Sequence, residues 1–326
     1  MKMIELDTVL GRFRLRPYRD GDREQILALF AEVFGHEKDP EVWEWEFRRN
    51  PFGTQVMLCE HESGELVAQC AAIPAPLYCR GEILQTAQLV DCMSKKAYRA
   101  LLTTRKMGLF AHTTQTFFDT YTGEGRDVYL YGFPGPRHFR LGALLLKYRK
   151  VQPYINVRLP LPAPRRNFGR RLLQLTKADL ADIAAAVVKL HRADLAAHRL
   201  CLYKNTAYLQ WRYGDAPRSY TIIGLKSPFR GRLLALACLQ PHGDGYRLLD
   251  FFGYGEINRL LGQFIAESGS PVSLWLPERY FRLFTRVEPL EDDIGAVPTG
   301  RSFHQDLPWD WVREHFFYTM GDCDLF

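Results

Sequence analysis

The sequence predicts a mixed α/β (α+β) protein of two tandem domains, and two observations support this. At 326 residues the chain is about twice the size of a common domain. The second half also repeats a pattern of the first: Trp45 and Trp211 lie 166 residues apart, and Gly64 and Gly231 lie 167 apart. An aromatic residue and a glycine that keep one register through two strands indicate two copies of one fold.

The first copy is predicted as a short strand, a helix, a β-hairpin and a further strand. Apolar residues at helical spacing predict the helix over 23–34, with Asp20 as its cap. A strand, a second helix and an extended segment should complete the copy. The predicted ranges are 13–16, 56–59, 66–73 and 86–93 for the early strands, Leu109 to about Tyr121 and about Arg137 to Leu146 for the helices, and 127–133 and 148–159 for the late strands.

The second copy follows the same order over a shorter span. We predict hairpin strands over 220–224 and 233–239, a strand over 246–252 and a helix over 260–267. Before it, Thr176 is a suitable cap for a helix over 177–197. The expected organisation is an N-terminal domain at 1–155, a linker and helix at 156–200, and a C-terminal domain at 201–326. The arginine- and proline-rich segment 158–171 should be an exposed linker or hairpin.

Composition bounds the function. The chain is 47% hydrophobic and 25% charged, as in soluble globular proteins. Its apolar runs are shorter than the roughly 20 residues of a membrane span, and its N-terminus lacks a signal-peptide core, so we expect a cytoplasmic protein without a membrane partner. The net charge of +6 is low for a nucleic-acid-binding protein of this length. A small anionic ligand suits it better.

The cysteines and histidines do not predict a metal site. Seven cysteines are scattered without a Cys-x-x-Cys pair, and nine histidines show no metal-ligand spacing. We therefore expect buried free thiols, no disulfide framework and no bound metal.

One segment predicts an anion-binding site. The buried strand pattern 89–93 is followed by Arg105 and Lys106, and then by Gly108, which opens the helix at Leu109. The first N–H groups of a helix have no partner within it, and they favour negative charge, as do the two neighbouring cations. A strand, a basic loop and a helix in this order form a phosphate-binding arrangement.

The spacing Arg105-x-x-Gly108-x resembles the pyrophosphate-binding signature of the GNAT superfamily of acyl-CoA N-acyltransferases. The pattern Trp-x-Phe-x-x-Asn-Pro-x-Gly over 45–53, together with Tyr-Gly-Phe-Pro over 131–134, is similar to bacterial tandem-GNAT members. The resemblance implies two GNAT-like domains, each a mixed, mostly antiparallel sheet flanked by helices. It also implies that acetyl-CoA, or another acyl-CoA, is the co-substrate.

The same resemblance implies roles for particular residues. The main chain of Asp91, Cys92 and Met93 would bond the pantetheine arm as an added strand does. Arg105 and the N–H groups of Lys106, Met107, Gly108, Leu109 and Phe110 would hold the pyrophosphate. A small amine, such as an amino sugar or amino acid, would attack the thioester directly. The second copy lacks Arg-x-x-Gly and carries Glu256 instead, so we expect no CoA there.

Asp91 is the best-placed carboxylate to take the amine proton. The alternative interpretation is that Asp91 is an ordinary strand residue without a catalytic role. Glu60, His112 and His138 are weaker candidates. The tyrosine that serves as acid in many members is replaced by Ala143, so Tyr131, Tyr148 or water would protonate the thiolate.

Two other functions stay open. One is a FemABX-like aminoacyl transferase, and the other is an inactive module that binds acyl-CoA or a partner protein, which Phe110 in place of the usual Gly or Ala favours. The apolar last residues are expected to pack as the end of the second copy; alternatively, Asp322, Asp324 or the terminal carboxylate contacts substrate.

Overall fold

The structure is a computed structural model that describes residues 4–103, 107–160, 171–228, 231–292 and 294–326. The chain divides into two compact units, each assembled from three segments. The first unit comprises Met1–Ala75, Leu84–Arg149 and Thr299–Trp309, and the second comprises Pro76–Ile83, Lys150–Pro298 and Asp310–Phe326.

The helices of the first unit pack on its sheet through apolar faces. Helix α1 buries Ile26, Leu29 and Phe30. Its N-cap residue is Asp22 and not the predicted Asp20. The Asp22 side chain makes no capping hydrogen bond and is instead bound by the guanidinium of Arg16 at 2.6 and 2.8 Å. The helices are α1 (Arg23–Phe34), α2 (Pro40–Trp43), α3 (Leu109–Tyr121) and α4 (Pro136–Leu146), with a π-helical turn at Glu44–Arg48 and a 3-10 turn at Lys96–Tyr98.

The sheet of the first unit has the order β1-β2-β3-β4-β5-β6-β16-β7. The pair β5–β6 is parallel, whereas β1–β2, β2–β3, β3–β4 and β6–β16 are antiparallel. The strands are β1 (Ile4–Thr8), β2 (Gly11–Pro17), β3 (Gln55–His61), β4 (Leu66–Cys79), β5 (Glu82–Ser94), β6 (Asp127–Gly132), β7 (Arg149–Lys150) and, from late in the chain, β16 (Thr299–Ser302).

The second unit has a sheet of the order β15-β8-β14-β13-β12-β11-β9, in which β13–β14 is the parallel pair. A short strand, β10, pairs with β17 and with residues 77–79 of β4, which belong to the second unit. The strands are β8 (Tyr154–Leu159), β9 (Arg171–Leu175), β10 (Leu200–Leu202), β11 (Thr221–Lys226), β12 (Leu233–His242), β13 (Gly245–Phe252), β14 (Val272–Pro277), β15 (Glu288–Pro289) and β17 (Phe316–Phe317).

Thr176 caps the first long helix of this unit as predicted, in a capping box with Asp179. The helices are α5 (Lys177–Asp194), α6 (Thr206–Leu209), α7 (Tyr254–Ser268) and α8 (Trp309–His315), with a π-helical turn at Gln210–Gly214 and 3-10 turns at Leu195–Ala197, Glu278–Leu283 and Met320–Asp322.

The two sheets share one strand order. β2-β3-β4-β5-β6-β16 in the first unit corresponds to β9-β11-β12-β13-β14-β8 in the second, with the parallel pair at the same place. Trp45 and Trp211 both lie in π-helical turns and are buried. The predicted mixed fold, with two sheets flanked by helices, is confirmed. That the units are copies of one domain stays a prediction.

Each sheet is completed by a strand from the opposite half of the sequence. β8 follows the first set of strands along the chain but pairs with β14, and β16 follows the second set but pairs with β6. Residues 156–159 of β8, together with β9 and α5, lie within the linker and helix predicted between the domain limits at residues 155 and 200. Those limits stay a prediction, and residues 161–170 of the arginine-rich segment lie outside the described ranges.

Candidate functional site

Strand β5 continues past the point where its pairing with β6 ends. The pairing runs from Gln85–Asp127 to Gln88–Tyr131, whereas β5 extends to Ser94. A Cβ atom on Gly132 would lie only 3.2 Å from the main-chain oxygen of Leu89, so the strands are still close there. The residues after Leu89 are where an added chain could bond to β5.

Asp91 lies in this segment and has a left-handed backbone, with a φ of 47°. The conformation is disfavoured for residues that carry a Cβ atom, although aspartate tolerates it better than most. Two contacts hold it. The side-chain amide of Gln69 donates to the main-chain oxygen of Asp91 at 3.1 Å, and the Lys38 ammonium lies 2.6 Å from the Asp91 carboxylate.

The ammonium of Lys38, whose side chain is 11% exposed, lies between two carboxylates. Its Nζ lies 2.6 Å from Asp91 and 2.5 Å from Glu46, and 5.4 and 5.5 Å from the ring centres of Phe30 and Phe47. Burial by itself lowers the pKa of Lys38, but the two carboxylates outweigh it and hold that pKa above its ordinary value. With all three groups ionised, the cluster carries one net negative charge, which attracts a cationic amine.

The side chains of Cys92 and Met93 are engaged in packing. The Sγ atom of half-buried Cys92 lies 3.7 Å from that of Cys70, and Met93 is buried. Their main chain is the part available to a ligand, and the predicted pantetheine contact stays a prediction. All seven cysteines are free thiols, and all but Cys92 are buried, as the sequence predicted.

Helix α3 begins at Leu109 after Gly108, and no side chain of the described residues caps it. Leu102 pairs with Gly108, and Thr103 donates from its N–H and its hydroxyl to the oxygen of Met107, at 3.1 Å each, which closes the loop at its base. Phe110 is half-buried and packs on the apolar core. An uncapped helix start suits an anion. Arg105 and Lys106 lie outside the described residues.

Two of the three weaker candidates for the base have structural partners. The Glu60 carboxylate pairs with the guanidinium of Arg16. The Nε2 atom of His112 lies 2.8 Å from the Thr103 hydroxyl, and burial lowers the pKa of His138 below its ordinary value. The contacts of Glu60 and His112 give these two residues structural roles.

Tyr148 is one of the two tyrosines considered as the acid. It is buried without a hydrogen-bond partner among the described residues, and burial raises its pKa well above the ordinary value. Its ring packs under Gly142, where a Cβ atom would lie 2.2 Å from the ring. The residue at 142 must therefore be glycine for Tyr148 to keep this place.

Neither a metal site nor a membrane span is found in the described ranges. No three His, Cys, Asp or Glu side chains there are grouped so that they could hold a metal ion. The helices within those ranges are too short or too polar to cross a membrane.

Residues 14–136 match the family model described as the acetyltransferase (GNAT) domain. The matched range runs from β2 to the start of α4, and it includes Asp91 and the loop before α3. This segment of the chain is a GNAT domain. The predicted family and enzyme class are confirmed: the protein is an N-acyltransferase, and an acyl-CoA is its co-substrate.

Solved structures share the fold. A probable N-acyltransferase from Enterococcus faecalis is 12% identical, with a TM-score of 0.67 over 90% of this chain and 72% of that one. A GCN5-related N-acetyltransferase from Anabaena variabilis is 12% identical, with a TM-score of 0.64 over 90% and 73%. Saccharomyces cerevisiae N-myristoyltransferase with bound myristoyl-CoA is 12% identical, with a TM-score of 0.51 over 81% and 72%. No curated protein sequence matches.

Helix α7 of the second unit corresponds to α3 of the first. The N–H groups at its start are bound by a side chain of the protein. The Asp194 carboxylate accepts hydrogen bonds from the N–H groups of Gly253 and Tyr254 at 2.6 and 3.1 Å, at the start of α7. Gly253 has a φ of 79°, and a Cβ atom there would lie 2.3 Å from the oxygen of Leu234. Glu256, the carboxylate that the sequence places where a pyrophosphate would need cations, lies in the first turn of α7 and pairs with Arg259 at 3.2 Å.

Asp194→Asn is expected to change how stability depends on pH. Burial raises the pKa of Asp194 to about 6, although the two N–H groups oppose this, while the ordinary value is 3.8. The Asp194 carboxyl therefore binds a proton more tightly in the folded protein than in the unfolded chain. Its contribution to the free energy of unfolding rises as the pH falls from about 7 to about 4. Wild type should gain up to about 3 kcal/mol relative to the variant over that interval, as measured by urea unfolding. A constant difference would contradict the raised pKa.

The last eight residues, Thr319–Phe326 (the tail), pack within the second unit. The Thr319 hydroxyl donates to Asp250 on β13 at 2.6 Å, and the Phe326 ring lies 5.4 Å from Trp275 on β14. These contacts lie beyond Arg247–Ser273, the last pair of β13 and β14. The tail thus packs against both strands beyond the end of their pairing.

Buried charges fix the tail in place. Asp322 lies 2.8 Å from the ammonium of Lys204, and the Arg212 guanidinium donates to the main-chain oxygens of Gly321 and Phe326 at 3.0 and 2.9 Å. These contacts agree with the interpretation of the tail as a packed end, and they occupy Asp322. With Asp194 at α7, they support the expectation that the second unit binds no CoA.

Proposed function

We propose that the protein transfers an acetyl group from acetyl-CoA to a small amine, such as an amino sugar or amino acid, and that the first unit binds the cofactor. The observation that carries this proposal is the arrangement in the GNAT domain of a strand, β5, which outruns its parallel partner, and a helix, α3, which starts uncapped after it. A cytoplasmic location is part of the same proposal and rests on the sequence.

In this proposal, some residues of the first unit bind the cofactor and others transfer protons. The main chain of Asp91, Cys92 and Met93 bonds the pantetheine arm, and Arg105 with the N–H groups of Lys106 to Phe110 binds the pyrophosphate. The Asp91 carboxylate takes a proton from the attacking amine, and the Tyr148 hydroxyl gives one to the departing thiolate. The negative Lys38–Glu46–Asp91 cluster favours an acceptor that arrives as a cation.

Arg105→Glu is expected to weaken acetyl-CoA binding by about 1–3 kcal/mol, or about 5- to 150-fold in Kd, because a carboxylate replaces a cation beside the pyrophosphate. Isothermal calorimetry measures the change. Arg313→Glu, the same charge reversal at an exposed position of α8, and Glu256→Gln on α7 are the controls and should bind as wild type does. A larger effect from Glu256→Gln than from Arg105→Glu would place the cofactor in the second unit.

A further inference from the structure

A lysine and an aspartate form an ion pair at matching places in the two units. Lys38 pairs with Asp91 at 2.6 Å, and Lys204 pairs with Asp250. Each lysine lies seven residues before the tryptophan of the π-helical turn, Trp45 or Trp211. The spacing of charged residues along the sequence does not predict either pair.

The aspartates occupy the same place in their sheets. The parallel pairing of β5 ends at Gln88 and that of β13 ends at Arg247, and each aspartate follows three residues later. The backbone is irregular at both positions. Asp91 has its left-handed φ, and the pairing of β12 with β13 shifts by one residue next to Asp250.

In the second unit the pair is enclosed by the protein. Asp250 is 1% exposed, and it accepts hydrogen bonds from Thr319 and Tyr213 in addition to its contact with Lys204. Because the tail covers Asp250, the Lys204–Asp250 pair has a structural role. A role that both ion pairs share is therefore structural as well. In the second unit, which we expect to bind no CoA, the ion pair holds the strand and does no chemistry.

We propose that Lys38 is a positioning residue, whose ion pair with Asp91 holds β5 in the kinked form that lets an acyl-CoA bond to the strand. The inference rests on the proposed cofactor site. A left-handed residue with a Cβ atom persists only when its surroundings hold it, and here they are Lys38 on the side chain and Gln69 on the main chain. Glycine would take the same φ unaided.

The test compares Asp91→Ala with Asp91→Gly. In both variants Lys38 keeps its pair with Glu46, so no buried charge is left without a partner. Asp91→Ala should raise the Kd for acetyl-CoA tenfold or more, because alanine leaves the left-handed region, and Asp91→Gly should stay within threefold of wild type. Lys38→Met/Glu46→Gln should bind as weakly as Asp91→Ala, and adding Asp91→Gly to it should restore binding.

Hydrogen exchange of the amides of 89–94, measured without ligand, separates this inference from the proposed function. Asp91→Ala should exchange faster than Asp91→Gly whether or not the protein binds acetyl-CoA. If wild type fails to bind acetyl-CoA, the proposed function is wrong. If alanine and glycine at position 91 give the same exchange and the same Kd, the positioning role is wrong. Lys204→Met/Asp322→Asn is the matched control, and it should lower Tm without changing the Kd.

Discussion

Asp91→Asn is expected to lower kcat for acetyl transfer by about 10²- to 10⁴-fold, the usual contribution of a positioned proton acceptor. Asparagine has nearly the same shape and tolerates the left-handed backbone, but its amide cannot take the amine proton. The Kd for acetyl-CoA should therefore stay close to that of wild type. The measurement is steady-state kinetics at saturating acetyl-CoA with a panel of amino sugars and amino acids.

Glu60→Gln is the matched control for this loss. Glu60 is bound to Arg16, and its amide variant should keep kcat within a few fold. A large loss in Glu60→Gln with none in Asp91→Asn would move the base to Glu60. Acetyl-CoA binding by wild type without turnover of any amine would favour the inactive binding module instead.

Lys204→Met is expected to lower the free energy of unfolding by about 3–5 kcal/mol, since it leaves Asp250 and Asp322 buried without their cation. Both carboxylates are nearly inaccessible, at 1% and 3% exposure. Burial raises the pKa of Asp322 even with Lys204 beside it, so its ionised form depends on that lysine. Urea unfolding followed by circular dichroism gives the free energy.

The triple variant Lys204→Met/Asp250→Asn/Asp322→Asn is the control for the charge itself. It removes the two carboxylates together with the cation, so most of the lost stability should return. If Lys204→Met alone unfolds within 1 kcal/mol of wild type, the three groups do not depend on each other for burial.

The sequence by itself determined the local elements and the family. Apolar spacing and caps predicted α3 at Leu109–Tyr121 and the start of α5 after Thr176, because these signals lie within a few turns of the chain. The motif before α3, the Trp45 pattern and the 166-residue echo identified the GNAT superfamily and two similar sheets. Helix α7 was predicted too short. It begins at Tyr254, between Gly253 and Gly255, and glycine disfavours a helix.

Only the tertiary structure decided which strands pair and which charges meet. The extended segment 148–159 was predicted as one strand, yet its residues form β7 and β8, which belong to different sheets, because the choice of partner depends on long-range contacts. The partners of Asp91 and Asp250 are 53 and 46 residues away along the chain, at Lys38 and Lys204. A buried charge needs a partner of opposite charge, and burial is a property of the folded chain. The local sequence pattern that identifies the family therefore does not predict which residues become partners.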